Sequence, residues 1–434
     1  MSLGIKNAVI VNADGMSDGL QEILVENGVI QEIASACADK ADRVLDARGL
    51  LVFPGFVDLH AHFREPGQEE KETIETGSQA AVRGGFTCVF CMPNTRPPID
   101  NAAIVAAVRA RAQQVGLIHV IPVGAVTRGQ AGSEMTDMVE LKRAGCLAVT
   151  DDGRAVENSQ IMLQALKYAG MAGLVIMQHC QDANLSGKGV MNEGFYSTLL
   201  GLRGDPGVAE TVIVARDIEL ARYLGARIHF QHMSLKRSCE LIRFAKSQGI
   251  QVTAECTPHH FSLTDEDVQG FNPDAKVNPP LRSREDVAAL REALADGTID
   301  CIATDHAPHT REDKEQGFDA APPGISGLET ALGLTITELV NRKVLTFPQL
   351  ADKMAASPAR ITGLAAKGRI APGMDADLTI VDPNEVWRVD PQAFASQGKN
   401  TPFTGRELTG RVKATVCGGR VVFDNLSECS GKGV

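Results

Sequence analysis

From about residue 50 the sequence alternates eight times between two kinds of segment. One is short, apolar and rich in β-branched residues, and it ends in polar ones; the other is longer and has helical periodicity. The strand-like segments fall at 51–62, 86–94, 119–127, 146–152, 174–179, 227–232, 251–260 and 300–306. The helical ones fall at 74–83, 102–115, 137–144, 159–171, 208–224, 235–248, 284–296 and 328–340. Several helices run into a glycine suited to a C-cap: Gly84, Gly116, Gly145, Gly225, Gly249 and Gly297. Strands that alternate with helices pair in parallel. Eight repeats predict a closed (β/α)8 barrel of the TIM type. The alternative is an open doubly wound sheet, but no glycine-rich phosphate fingerprint follows the first strand.

The two ends of the chain read differently. Short alternating strands occupy 5–11, 20–26 and 29–33, and again 377–381, 387–389, 414–417 and 420–423, with Gly418-Gly419 as a hairpin turn. Neither end is long enough to make a core alone. The expected solution is one small β-sandwich domain built from both: 1–53, then the barrel at 54–362, then 363–434. A length of 434 residues, 44% of them hydrophobic, suits a barrel with such an accessory domain. No apolar run approaches a membrane span, and the start lacks the pattern of a signal peptide. The net charge is −11 and the basic residues are dispersed, which argues against nucleic acid or anionic membrane as a partner. Ten cysteines are spread along the chain, and Cys88, Cys91, Cys146, Cys256 and Cys301 lie in apolar runs. That usage fits buried thiols in a reduced, cytoplasmic protein. Cys88-Val-Phe-Cys91 has no second cysteine pair to complete a zinc site.

The polar residues at the strand ends carry the chemistry. In Asp58-Leu-His60-Ala-His62, residues two apart on a strand project together, so His60 and His62 form half of a transition-metal site. Strand four ends in Asp151-Asp152, strand five in His179, strand six in His232 and strand eight in Asp305. The C-terminal strand ends of such a barrel form its active site. Four imidazoles and two carboxylates there suit one or two Zn²⁺ ions, with a carboxylate bridging a pair. Adjacent aspartates at a strand end cannot be separated on physical grounds, so Asp151 and Asp152 stay open as the bridge. Asp305, able to reach metal and water together, is the candidate proton acceptor. No GxSxG nucleophile motif is present. The chemistry indicated is hydrolysis.

Four motifs, Asp58-Leu-His60-Ala-His62-Phe-Arg64-Glu-Pro-Gly67, Met92-Pro-Asn94-Thr95, Thr150-Asp-Asp152-Gly153 and Ala303-Thr-Asp305-His-Ala-Pro-His309, resemble the bacterial class I dihydroorotases of the amidohydrolase superfamily. The resemblance spans nearly the whole chain. It implies reversible interconversion of N-carbamoyl-L-aspartate and L-dihydroorotate in pyrimidine synthesis. It implies His60 and His62 on a first zinc, His179 and His232 on a second, Asp152 as the bridge, and Asp305 as ligand and base. Arg64, Asn94 and His309 match residues that hold the substrate carboxylate, with His62 also beside substrate. Asn278 matches a ring-contacting asparagine, and Pro323-Gly324 a backbone segment against the ring, where only Gly324 has an amide N–H to offer. Hydantoinases, allantoinases and class II dihydroorotases use a carboxylated lysine on strand four, and 146–152 contains no lysine. Asp58 is expected either to support the metal ligands or to be a structural cap, and His259-His260 to be structural or to support the ligands from behind. The polar stretch 310–322 is expected to be a mobile loop over the substrate. Two other readings are a different cyclic amidohydrolase and a scaffold subunit for aspartate carbamoyltransferase. The scaffold reading requires lost ligands, and all six are present. Expected partners are a small-molecule substrate and a second copy of the chain, with a complex with aspartate carbamoyltransferase left open.

Overall fold

Strands that are apolar on both faces must be covered on both faces, and that requirement builds this fold. The computed structural model describes residues 2–426. Eight short parallel strands line its centre: β1 (Phe56–Ala61), β2 (Phe86–Cys91), β3 (His119–Pro122), β4 (Ala148–Val149), β5 (Val175–Gln178), β6 (Ile228–Phe230), β7 (Val252–Cys256) and β8 (Cys301–Ile302). Every residue of β1, β2, β5 and β6 is buried. Ladders join β1 to β3 and β4 to β8. Two parallel bridges close the ring: Gly124 with Val149 between β3 and β4, and Ala61 with His306 between β8 and β1. The helices outside are α1 (Ile74–Arg83), α2 (Ala102–Val115), α3 (Met138–Ala144), α4 (Ser159–Ala172), α5 (Val208–Leu224), α6 (Lys236–Ser247) and α7 (Arg284–Asp296).

Local sequence sets the helix ends. Side chains of Thr73, Asn101, Asp137, Asn158 and Ser283 accept from first-turn amides. Gly116, Gly145, Gly225 and Gly297 take the left-handed C-cap conformation. Gly84 departs from this expectation, with φ −82°. It is glycine for lack of room: a Cβ there would lie 2.2 Å from the Leu328 carbonyl oxygen. The expected eighth helix is realised as Ala331–Thr335 followed by a wider π turn, Ile336–Val340.

The first expected strand, 51–62, divides in two. Leu51–Pro54 pairs antiparallel with Leu378–Arg388 and parallel with Leu3–Asn12, and only after Gly55 does β1 enter the barrel. Both ends of the chain meet in one nine-stranded sheet, where Glu407–Cys417 and Arg420–Asp424 extend the Leu378–Arg388 strand. This β-sandwich wraps its own core, which includes Ile5, Ile23, Val52, Leu378, Ile380 and Val416. Within the C-terminal part, Phe394 and Phe403 leave the sheet and pack with Val277, Leu281, Phe318 and Ile325 at the barrel mouth. Among the described residues no helix is long and apolar enough to cross a membrane.

Candidate metal and substrate site

The ends of β1, β4, β5, β6 and β8 deliver His60, His62, Asp152, His179, His232 and Asp305 to one point, all buried. Asp152 stands in the middle. Its Oδ1 lies 3.2 Å from His60 Nε2, 3.5 Å from His179 Nδ1 and 3.7 Å from His232 Nε2. Its Oδ2 lies 3.5 Å from His62 Nε2. Asp305 Oδ1 is 3.0 Å from His62 Nε2 and 3.4 Å from His60 Nε2. His179 Nδ1 and His232 Nε2 are 2.8 Å apart. The donors form two overlapping groups, His60 with His62 and Asp305, and His60 with Asp152 and His232, with His179 against His232. The neighbouring Asp151 turns away, accepting from the Thr127 amide at 3.0 Å and from its hydroxyl.

The donor set fits divalent metal. Zinc–nitrogen bonds near 2.05 Å in a tetrahedron place ligand atoms about 3.3 Å apart, and the contacts here run from 2.8 to 3.7 Å. His60 Nε2 and Asp152 Oδ1 are buried with no hydrogen-bonding partner, although they face each other. Burial alone would push both carboxyls up, but the imidazoles, His60 foremost, hold Asp152 and Asp305 well below the usual carboxylate range. Both are ionised at neutral pH. His232 and Asp305 adopt positive φ, 34° and 45°. Such backbone is strained in non-glycine residues and clusters where a side chain must be aimed.

Behind these residues lie groups that aim them. Asp58 accepts from the Thr304 amide (3.0 Å), the Thr304 hydroxyl (2.5 Å) and the His60 amide (3.2 Å), tying β1 to β8. Glu255 on β7 accepts from His60 Nδ1 at 2.9 Å and from His229 Nε2 at 3.0 Å, which fixes the His60 tautomer with Nε2 toward the metal position. Sequence reasoning passed over Glu255 and His229. The available signal was a charged residue in a strand otherwise buried on both faces. His260 bonds Thr257 and Pro279, and neither it nor His259 joins the ligand groups.

A cavity of about 190 Å³ opens on the two groups and is lined by His62, Arg64, Asn94, Asp152, His179, Asn278, Asp305, His309, Pro323 and Gly324, among others. Arg64, at φ 60°, bonds the Pro308 carbonyl at 3.3 Å and approaches His309 Nε2 at 3.4 Å. Among the described residues no carboxylate pairs with it. Burial lowers its pKa to about 10, against the pull of Asp305 and Asp152, so it remains a cation at neutral pH. Burial and Arg64 push His309 down to about 2, so that imidazole is neutral. Asn94 Oδ1 meets His62 Nδ1 at 2.9 Å, and its Nδ2 faces Asp152 at 3.4 Å.

Gly324 differs from expectation. Its amide donates to the Lys276 carbonyl at 2.9 Å and is not free for a ligand. The residue is glycine because its φ is 147° and because a Cβ there would lie 2.5 Å from the Ala307 carbonyl oxygen. Asn400, which sequence reasoning did not connect with the site, fastens this wall. It accepts from the His309 amide (2.9 Å) and donates to the carbonyls of Ala307 (3.2 Å) and Gly324 (2.9 Å). The segment 310–322 is folded over the same wall. Its short helix Arg311–Lys314 ends in a buried lysine whose Nζ bonds the carbonyls of Pro322 (3.0 Å) and Gly324 (3.1 Å).

The chain resembles known proteins along nearly its whole length. The family described as Dihydro-orotase-like matches residues 49–238, and the Amidohydrolase family matches 208–423. A dihydroorotase of Pelotomaculum thermopropionicum is 52% identical over 98% of this chain and 99% of its own length. One from Caldanaerobacter subterraneus is 48% identical over 98% and 97%. Among solved structures, the L-hydantoinase of Arthrobacter aurescens superposes with a TM-score of 0.88 at 28% identity, covering 98% of this chain and 96% of that one. A D-hydantoinase from Thermus sp. gives 0.84 at 26% identity over the same shares. The chain belongs to the dihydroorotase family of amidohydrolases.

Proposed function

We propose that this protein is a dihydroorotase, interconverting L-dihydroorotate and N-carbamoyl-L-aspartate. The observation that carries the reading is Arg64, a buried cation with no carboxylate partner among the described residues, on the wall facing a hydrolytic metal site. A buried charge calls for a counter-charge, and a guanidinium fork matches a carboxylate. Dihydroorotate carries one; a neutral hydantoin ring does not. This separates the reading from the hydantoinases that share the fold.

His60, His62, Asp152 and Asp305 would hold one Zn²⁺, and His179, His232 and Asp152 a second. Such cations, when bound, supply a nucleophile at neutral pH and polarise the amide carbonyl. Arg64 and Asn94 hold the substrate carboxylate, while neutral His309 contributes a hydrogen bond without a competing charge. Asp305 accepts the proton of the attacking water as the new C–O bond forms. It returns that proton to the ring nitrogen as the C–N bond breaks, and cyclisation reverses both transfers. Walls that exclude bulk water strengthen every charge contact inside. The folded segment 310–322 fits a lid on this cavity.

The test is hydrolysis of L-dihydroorotate and of hydantoin by zinc-loaded protein, with bound metal counted. Turnover of dihydroorotate well above that of hydantoin, with one or two zinc per chain, is expected. Faster hydantoin turnover would overturn the substrate assignment, and loss of dihydroorotate turnover together with a lack of metal uptake would overturn the whole reading.

A further inference from the structure

Gln181 lies two residues past His179 and outside the lining of the catalytic cavity, yet its amide uses all four of its hydrogen-bonding positions toward the site. Its Nε2 donates to Asp205 Oδ2 at 2.7 Å and to Asn278 Oδ1 at 3.0 Å. Its Oε1 accepts from Asn278 Nδ2 at 3.0 Å and meets His179 Nε2 at 3.4 Å. Asp205 is buried, on the two-residue strand Gly204–Asp205 that pairs with Met191–Asn192 in the excursion between β5 and α5. Burial raises the Asp205 pKa above the usual carboxylate value, and the charge of Arg282, which donates to the Asp205 carbonyl at 3.1 Å, opposes that rise.

We propose that Asp205 and Gln181 form an orienting chain that decides which ring nitrogen His179 turns to the metal position and which end of the Asn278 amide faces substrate. An ionised carboxylate only accepts, so Gln181 must present its NH₂ to Asp205. Its oxygen is then turned to His179 and Asn278. His179 carries its proton on Nε2, facing that oxygen. Its lone pair is on Nδ1, the atom directed at Asp152 and His232. Asn278 meets the same oxygen with one N–H; its Nδ2 also lies 3.5 Å from His179 Nε2, but that nitrogen, when it carries the proton, cannot accept, so the second N–H is left for a ligand. The ring atom Asn278 contacts is therefore an acceptor, a carbonyl oxygen. Both are positioning roles, since neither Gln181 nor Asp205 lines the catalytic cavity. The inference rests on the two-cation reading above.

Two variants separate the two halves of the chain. Q181M removes donor and acceptor together. D205N/Q181E keeps an acceptor for His179, because the amide introduced at position 205 donates to the carboxylate introduced at position 181, but it leaves Asn278 Oδ1 without its donor. Zinc and cobalt titration of the apoprotein, read by calorimetry and by the cobalt visible spectrum, should show Q181M losing about 10- to 100-fold in affinity for the second ion. D205N/Q181E should stay within about threefold of wild type in that affinity, because its acceptor for His179 remains. Its KM for dihydroorotate should still rise about tenfold, the worth of one misdirected hydrogen bond. Equal loss of metal affinity in both variants, or full affinity in Q181M, would overturn the proposal. If Q181M does not fold, the double variant decides alone, and an unchanged KM overturns the Asn278 half. Wild-type protein that takes up two ions without turning over dihydroorotate would sink the functional reading and leave the His179 half standing.

Discussion

The two walls of the cavity are held by different means. On one, His60, Asp152, His179, His232 and Asp305 sit in or just beyond strands of a closed ladder, and partners on other barrel strands, such as Glu255 and Asp58, aim them. On the other, Arg64, His309 and Gly324 lie on loops, and side chains from outside the barrel strands hold those loops. Asn400 of the C-terminal arm bonds 307, 309 and 324, and Lys314 bonds 322 and 324. The difference separates tasks. Groups that exchange protons must stay within tenths of an ångström of one geometry, which a barrel rim supplies. Groups that recognise a substrate may sit on parts that close around it. Substitutions on the first wall should therefore act on kcat, and substitutions on the second on KM.

The strongest test of that division is Asp305→Asn. The amide keeps the size of the carboxylate and cannot take the water proton, so kcat for dihydroorotate should fall about a thousandfold with KM little changed. A fall of less than about tenfold would place the base elsewhere and remove the contrast between the walls. Arg64→Met comes next. Loss of a charge-assisted pair with the substrate carboxylate should lower kcat/KM about a hundredfold, mainly through KM. Turnover of a neutral ring should fall far less, and equal losses on both substrates would mean that Arg64 braces the loop and does not read the carboxylate. Lys314→Met should do less again. It leaves the Pro322 carbonyl without its donor and the Gly324 carbonyl with Asn400 alone, so KM should rise about tenfold. Amides of 315–324 should exchange faster with solvent, and unchanged exchange would show that the loop is held without Lys314.

The same contrast explains what the sequence disclosed. The clustered His and Asp residues were legible because they recur at strand ends: two on the first strand and one each on the fourth, fifth, sixth and eighth. The barrel was legible for the same reason. Strand 51–62 was misread as one piece because Leu51–Pro54 and Phe56–Ala61 are equally apolar, and only the pairing of the first with Leu378–Arg388 divides them. Asp151 and Asp152 differ only in which neighbour each meets, Thr127 or the imidazoles, and that is tertiary information. The Gly324 amide looked free until Lys276 was placed against it. Asn400 was hidden more deeply, since a lone asparagine in a polar stretch carries no period and its partners lie in 307–324.

The recognition wall should also carry a pH dependence of its own, through the anchor of its arm. Partly buried Glu329 accepts from the amides of Ala395 (2.9 Å) and Ser396 (3.2 Å), the start of the stretch that brings Asn400 to the site. Burial, opposed by those two amides, raises its pKa from 4.5 to about 7. A carboxyl whose folded pKa lies above its unfolded value binds protons more tightly when folded. Its effect on stability is therefore absent below about pH 4 and unfavourable above it. The penalty grows as pH rises through the folded pKa, and at pH 8 it is complete, on the order of 2 kcal/mol. Glu329→Gln keeps an acceptor for the two amides and has no proton to lose. In urea denaturation the variant should match wild type near pH 4.5 and exceed it by about 2 kcal/mol at pH 8, other titrating groups cancelling in the difference. Asp152 and Asp305, held low on the other wall, add no slope in that window. A gap between variant and wild type that is the same at both pH values would show that Glu329 is already ionised in acid. The arm would then be held by its two amide bonds with no titrating cost.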